Sequence, residues 1–247
     1  MIRVGVVCSM TGGSAIYGEG AQNAVDMAVE EINSGDSGYT VEIVNGGKVA
    51  DDAKDAKQAM NAYNKVMADS PAAIVGSFFS SVTLPMATQA ANDGMLLLAT
   101  GATNVDVTQK GSTIFRNCFI DPYQGKMAAL FVKSKGFRKV AVIYAKDDDY
   151  SNGLEDKFDD CYFTNHYSSE DTAPAVQNFV QKYTEKYGTE SLNACAALYY
   201  DAIYMLLQAA ENGGGTDTAS LVKGMTGMEF TGVGGTIKLD ENGDAIK

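Results

Sequence analysis

Three short segments of the chain combine hydroxyl side chains, glycine and the approach to a helix, and they hold the residues best suited to chemistry. The first is Ser9-Met10-Thr11-Gly12-Gly13-Ser14-Ala15-Ile16-Tyr17-Gly18, the second Gly76-Ser77-Phe78-Phe79-Ser80-Ser81, the third Thr100-Gly101-Ala102-Thr103-Asn104. Hydroxyls beside the free N–H groups of a helix start suit a carboxylate or another small polar group. Gly101 allows an unusual backbone angle or a close ligand approach, and Thr103 offers a hydroxyl. Ser80 or Ser81 fits equally well as an ordinary N-cap for a helix opening near Leu84-Pro85. Two further positions follow later apolar runs, Asp121 in FIDPYQG and Tyr150 in DDDYSNG, and Asp121 also fits the start of a helix at Pro122.

Other chemistries lack their residues. The first segment has neither the G-x-G-x-x-G spacing nor a G-K-[ST] triplet, so no lysine is placed to reach a phosphate. A calcium loop at Asp147–Asp149 would need ligands at alternate positions and a closing glutamate, and Glu155 is misplaced for that role. The one histidine, His166, has no neighbouring nucleophile, and G-x-S-x-G and H-E-x-x-H are absent. A binding protein with no cofactor and no metal is therefore expected, not an enzyme. A formal charge of −12 argues against nucleic acid or an anionic membrane as partner. Acidic pairs such as Asp51-Asp52 read as solvated loop and helix-end residues. Cys8, Cys118, Cys161 and Cys195 are far apart in sequence and read as buried free thiols. No apolar run is long enough to cross a bilayer, and Met1 leads directly into a strand, IRVGVV, with no signal peptide ahead of it.

The segments that must position these residues alternate between two periods. Arg3–Cys8, Tyr39–Val44, Ala72–Val75, Met95–Leu98, Ile114–Arg116 and Lys139–Tyr144 read as strands. Between them Gly20–Ile32, Ala53–Ala68, Leu84–Asn92, Tyr123–Lys135 and Ser151–Phe158 carry apolar residues at helical spacing. Nearly continuous apolar strands separated by amphipathic helices predict an α/β fold of parallel βα units with helices on both faces. Right-handed crossovers put all the strand-to-helix loops on one edge, where ligands bind in open sheets. Two more helices, Ala173–Tyr187 and Leu192–Asn212, a short one at Thr218–Met225 and a strand at Val233–Leu239 complete the chain.

Taken together, IRVGVVCSMTGGSAIYGEGAQNAVDMAVEEIN, AYNKVMADSPAAIVGSFFSSVTLPMATQAAND, TGATNVDVT, FRNCFIDPYQGKMAA, KVAVIYAKDDDYSNGLEDKF, YFTNHYSSEDTAPAVQNFVQKYTEKYG and ALYYDAIYMLLQAAE resemble the type I periplasmic substrate-binding proteins, specifically the branched-chain-amino-acid receptors of ABC importers. The resemblance implies two α/β lobes closing on an amino acid, an extracytoplasmic location and delivery to a membrane permease. It implies that Ser80, Ser81 and Thr103, with backbone groups at Gly101 and Ala102, hold the α-carboxylate and help with the α-ammonium. Tyr17 and Tyr150 would line the cleft from the two lobes, with Asp121 near the hinge. The chain departs from the family pattern at Asp160/Cys161, where several strand–helix units of the second lobe have no counterpart. The expected division is lobe one at residues 1–119 and 173–227, with a reduced lobe two at 120–172 and 228–247. A half-site open to water is expected to bind an amino acid at about millimolar strength, near −4 kcal/mol. The alternative is a truncated or engineered scaffold that binds nothing and self-associates, as a homodimer, through the exposed remnant of lobe two.

Overall fold

A computed structural model of the chain describes residues 1–136, 149–151 and 168–246. Its centre is a parallel sheet of β1 (Ile2–Cys8), β2 (Val41–Ile43), β3 (Ala50–Asp51), β4 (Ala73–Val75), β5 (Leu96–Ala99) and β6 (Ile114–Arg116). The strands run in the order β2-β1-β4-β5-β6, with β3 continuing the pairing along the far end of β1. Alternation along each strand divides the core in two. Val4, Val6, Cys8, Val75, Leu96 and Leu98 face one side, and Val7, Ile74, Leu97 and Ala99 face the other.

Helices cover both faces, as the continuous apolar strands require. On the first lie α1 (Ala15–Ser34), α5 (Pro174–Tyr187), α6 (Ala194–Gly213) and α7 (Thr218–Met225); on the second lie α2 (Ala56–Met67) and α3 (Ser80–Asp93). The longest of the late helices, α6, starts where Asn193 accepts a hydrogen bond from Ala196 N and stops at left-handed Gly214, φ 76°. It is buried along most of its length, and its Tyr199 hydroxyl donates to the Val7 carbonyl at 2.5 Å. The helix α4 (Asp121–Ser134) follows β6 and carries Tyr123, Met127, Leu130 and Phe131 at 40–50% exposure. That row of large apolar side chains on one helix is unusual for a solvent-facing surface.

Residues Val233–Leu239, read from sequence as one strand, form a turn and the second arm of a hairpin. The structure has β7 (Glu229–Gly232), β8 (Gly235–Leu239) and β9 (Ala245–Ile246) in an antiparallel ribbon. The turn at Val233-Gly234 is held by Asp201 of α6, whose carboxylate accepts Val233 N at 2.8 Å and Gly234 N at 2.7 Å. Phe230, Ile237, Leu239 and Ala245, in the stretch assigned from sequence to the second lobe, are buried in the same core as β1 and α6. The predicted strand Lys139–Tyr144, most of the predicted helix Ser151–Phe158, the Asp160/Cys161 junction and His166 lie outside the described residues. Cys8, Cys118 and Cys195 are buried and free, with the Cys8 and Cys195 sulfurs 3.9 Å apart.

The Asp201 carboxylate satisfies two backbone donors at a buried turn. Asp201→Ala is expected to lower stability by about 3 kcal/mol, measured as the shift in a urea unfolding midpoint at unchanged slope.

Candidate functional site

The loops after β1, β3, β4, β5 and β6 meet at the carboxyl edge of the sheet, and buried charges hold them there. Asp52, wholly buried after β3, accepts the Ser9 hydroxyl at 2.5 Å and the Ser77 hydroxyl, fastening the loops after β1 and β4 to each other. Its Oδ1 also accepts Lys54 N at 2.8 Å. Asp51 accepts Met10 N at 2.7 Å, Thr11 Oγ1 at 2.6 Å and Ala53 N at 2.8 Å. Burial opposes ionisation of Asp51, but the Thr11 hydroxyl and the backbone N–H groups outweigh it and hold the carboxyl below its ordinary value. These aspartates were expected to be solvated; Asp52 is instead the buried tie of the site.

The loops after β4 and β5 present donors. The helix α3 opens at Ser80, with Phe79 in the N-cap position and no capping side chain. The expected start near Leu84-Pro85 and the serine N-cap are both corrected. Pro85 lies inside the helix and leaves the Ser81 carbonyl without its helical donor. Ser80, 2% exposed, accepts Asn104 N at 3.3 Å on its hydroxyl, which joins the two loops and leaves its own proton to give. The N–H groups of Ser80 and Ser81, in the first turn, have no acceptor among the described residues. Thr103 is 1% exposed, and its Oγ1 has no hydrogen-bond partner among the described residues. The N–H groups of Ala102 and Thr103 likewise have no acceptor among the described residues.

Gly101 sits at φ +111°, and a Cβ there would lie 2.5 Å from the Phe78 ring. The glycine thus lets the ring pack against the backbone. Tyr17 stacks on Phe78 at 5.1 Å between centroids and meets Phe79 edge-on at 5.5 Å, forming an aromatic wall beside Ser80. The sequence reading placed Tyr17 here and overlooked Phe78 and Phe79, whose neighbours Ser80 and Ser81 drew the attention. The Tyr150 hydroxyl lies 3.3 Å from Gln124 Nε2 on α4, while Asn104 Nδ2 donates to the Asp149 carbonyl at 3.2 Å. So residues 149–151 do reach the edge occupied by Thr103. Asp121, 1% exposed, begins α4 ahead of Pro122, and its N–H donates to the Thr103 carbonyl at 3.0 Å.

Behind this loop lies Arg116, also absent from the sequence reading except as the end of a strand. Its Nη1 donates to the Ala102 carbonyl at 2.8 Å. Burial pushes the neighbouring Cys118 thiol up to about 11, against the pull of Arg116, so it stays a neutral thiol. No group of three or more histidine, cysteine or acidic side chains suited to a metal occurs among the described residues.

Two expectations follow from the aspartates. Asp52→Ala leaves the Ser9 and Ser77 hydroxyls buried without their acceptor, and stability should fall by about 3 kcal/mol in chemical denaturation. Asp51 has a lowered folded value, so its contribution is present above the ordinary value of 3.8 and lost as pH falls through the folded one. Asp51→Asn should therefore melt below the parent at pH 7, with the gap closing below about pH 4 in a thermal scan.

The fold finds its counterparts in known proteins. The sequence profile of the periplasmic binding protein family matches residues 1–161 and 147–247, two stretches that overlap over residues 147–161. The Leu/Ile/Val-binding protein BraC3 of Rhizobium johnstonii is 35% identical over 161 residues, 64% of this chain and 42% of that protein. The Leu/Ile/Val-binding protein homolog 1 of Brucella abortus is 36% identical over 163 residues, 63% of this chain and 42% of its own length. The matched stretch thus spans less than half of these relatives. Among solved structures, the leucine binding protein LivK of Thermotoga maritima superposes with a TM-score of 0.86 at 26% identity, covering 100% of this chain and 93% of that one. The isoleucine complex of LivJ from Streptococcus pneumoniae shares the fold at TM-score 0.86 and 20% identity, covering 100% of this chain and 94% of that one. No helix among the described residues is long and apolar enough to cross a membrane. Nothing in these likenesses supports a non-binding scaffold, and the chain belongs to the periplasmic binding protein family.

Proposed function

We propose that the chain binds a free amino acid, of the branched-chain or a similar aliphatic type, at this edge and presents it to the membrane permease of an ABC importer outside the cytoplasm. The observation that carries the reading is the buried Thr103 hydroxyl without a partner, next to the open first turn of α3. A buried hydroxyl left unpaired costs about 1–3 kcal/mol, and a bound carboxylate removes that cost. Ser80 Oγ, the Ser80 and Ser81 N–H groups and the Ala102 and Thr103 N–H groups form the rest of the anion cradle. Tyr17 and Phe78 border it and give an apolar side chain a surface to lie on, with Asp121 and Tyr150 closing the margin toward α4. The names of the Leu/Ile/Val-binding relatives support the aliphatic class.

The test is a titration of L-leucine, L-isoleucine and L-valine followed by ligand-observed NMR. Saturable binding is expected, and L-leucinamide, which lacks the carboxylate, should not bind. Thr103→Ala removes one charge-assisted hydrogen bond and should weaken L-leucine binding by about tenfold, or 1.4 kcal/mol. Equal binding by Thr103→Ala, or by the amide, would overturn the assignment.

A further inference from the structure

Arg116 is wholly buried at the end of β6; Nη1 and Nη2 make hydrogen bonds, and Nε makes a close ion pair without hydrogen-bond geometry. Nη1 donates to the Ala102 carbonyl at 2.8 Å; Nη2 donates to Thr108 Oγ1 at 3.1 Å and reaches the Val105 carbonyl at 3.4 Å. Nε lies 2.6 Å from Asp244 Oδ1. Thr108 Oγ1 in turn donates to Asp244 Oδ1 at 2.8 Å. One side chain therefore grips three points of the loop after β5 and one point of the C-terminal turn.

That turn is itself docked on β6. Arg116 N donates to the Gly243 carbonyl at 3.0 Å, and Gly243, at φ +82°, approaches so closely that a Cβ would stand 2.5 Å from the Ile114 carbonyl. Asp240 Oδ1 accepts Asn242 N and Asp244 N, both at 2.9 Å, which sets Asp244 for the guanidinium.

The direction of the pull matters. In a planar trans peptide the C=O of one residue and the N–H of the next point opposite ways. Arg116 draws the Ala102 carbonyl inward, so the Thr103 N–H of the same peptide unit is aimed outward, away from Arg116. Lysine cannot replace this fork, because a single ammonium cannot span the Ala102, Thr108 and Asp244 positions together.

We infer that Arg116 is a positioning residue, and that the C-terminal turn, through Asp244, sets the geometry of the Ala102–Thr103 cradle. The ligand side of this inference rests on the amino-acid reading above; the loop side does not. Neutralising Asp244 leaves a buried cation uncompensated and frees the loop, although neither residue touches the ligand.

The experiment pairs amide hydrogen exchange of the ligand-free protein with L-leucine titration, on the parent, Asp244→Asn and Arg116→Lys. Both variants should exchange the amides of residues 102–108 about tenfold faster while those of β1 and β4 keep their parent rates. L-leucine affinity should fall by about tenfold in both. Tyr63→Phe, which loses its hydrogen bond to Asp93 on the opposite face, serves as a destabilised control and should leave affinity and loop exchange unchanged. If Asp244→Asn does not fold, Thr108→Val cuts the same network at a neutral position and should show the same local exchange. Unchanged exchange at 102–108, or a rise spread evenly over all strands, overturns the inference. A parent that ignores L-leucine overturns the amino-acid reading, and the exchange data then decide the positioning role by themselves.

Discussion

A parallel sheet buried on both faces leaves polar chemistry one place to go, the edge where its strands end. The middle strands β1, β4 and β5 are lined by apolar side chains on both faces over most of their length, so a charge within them carries a heavy desolvation cost. Arg3 and Glu42 pair at the half-exposed opposite end, and Asp51 and Arg116 stand at the carboxyl ends of β3 and β6. The backbone groups of the connecting loops emerge at the edge, and right-handed crossovers bring them there together. The rest of the molecule follows from how those loops, which have no ladder of their own, are kept in place.

They are kept by buried charge. Asp52 fastens the first and third loops through Ser9 and Ser77, and Arg116 fastens the fourth through Ala102 and Thr108. Burying such groups is costly unless every lone pair and proton finds a partner. Asp52 is held by two hydroxyls and the Lys54 N–H, and Arg116 by two carbonyls, a hydroxyl and the charge of Asp244. Once the scaffold charges are satisfied, the donors left over stand out: Thr103 Oγ1 and the N–H groups around it and at the start of α3. A loop cluster fixed by such supports, with its outward donors unpaired, is organised ahead of any ligand it would take.

How far the sequence revealed this depends on the range of the interaction. Strand and helix types follow from local periodicity, and Ile114–Arg116 and Thr218–Met225 are read from the chain with the bounds they have in the structure. The hydroxyl-rich loops were legible because their residue types announce them. Asp52 was not, because an acidic pair in a loop looks solvated until Ser9, 43 positions away, is known to meet it. Arg116 hides in a strand pattern for the same reason, its partner Asp244 lying at the far end of the chain. The start of α3 was misplaced because serine is so common as an N-cap that Phe79 in that position gave no local signal. The hairpin turn at Val233-Gly234 was missed because its fixing group, Asp201, sits on another element.

The proposed cradle would be an anion site in a chain of net charge −12, and the two are compatible only for certain ligands. Surface acidic groups repel a free anion over roughly the Debye length, about 8 Å at physiological salt. Within the loop the donors act at hydrogen-bond range in a buried setting, where each counts for more than a screened charge outside. A zwitterion has no net charge, so it escapes the long-range penalty and still offers its carboxylate to Thr103 and α3. A simple carboxylic acid pays the repulsion in full, and its ring or chain gains no compensating ammonium contact with the acidic surroundings. On the amino-acid reading, the same charge that would count against an anion thus favours a zwitterion over its deaminated analogue.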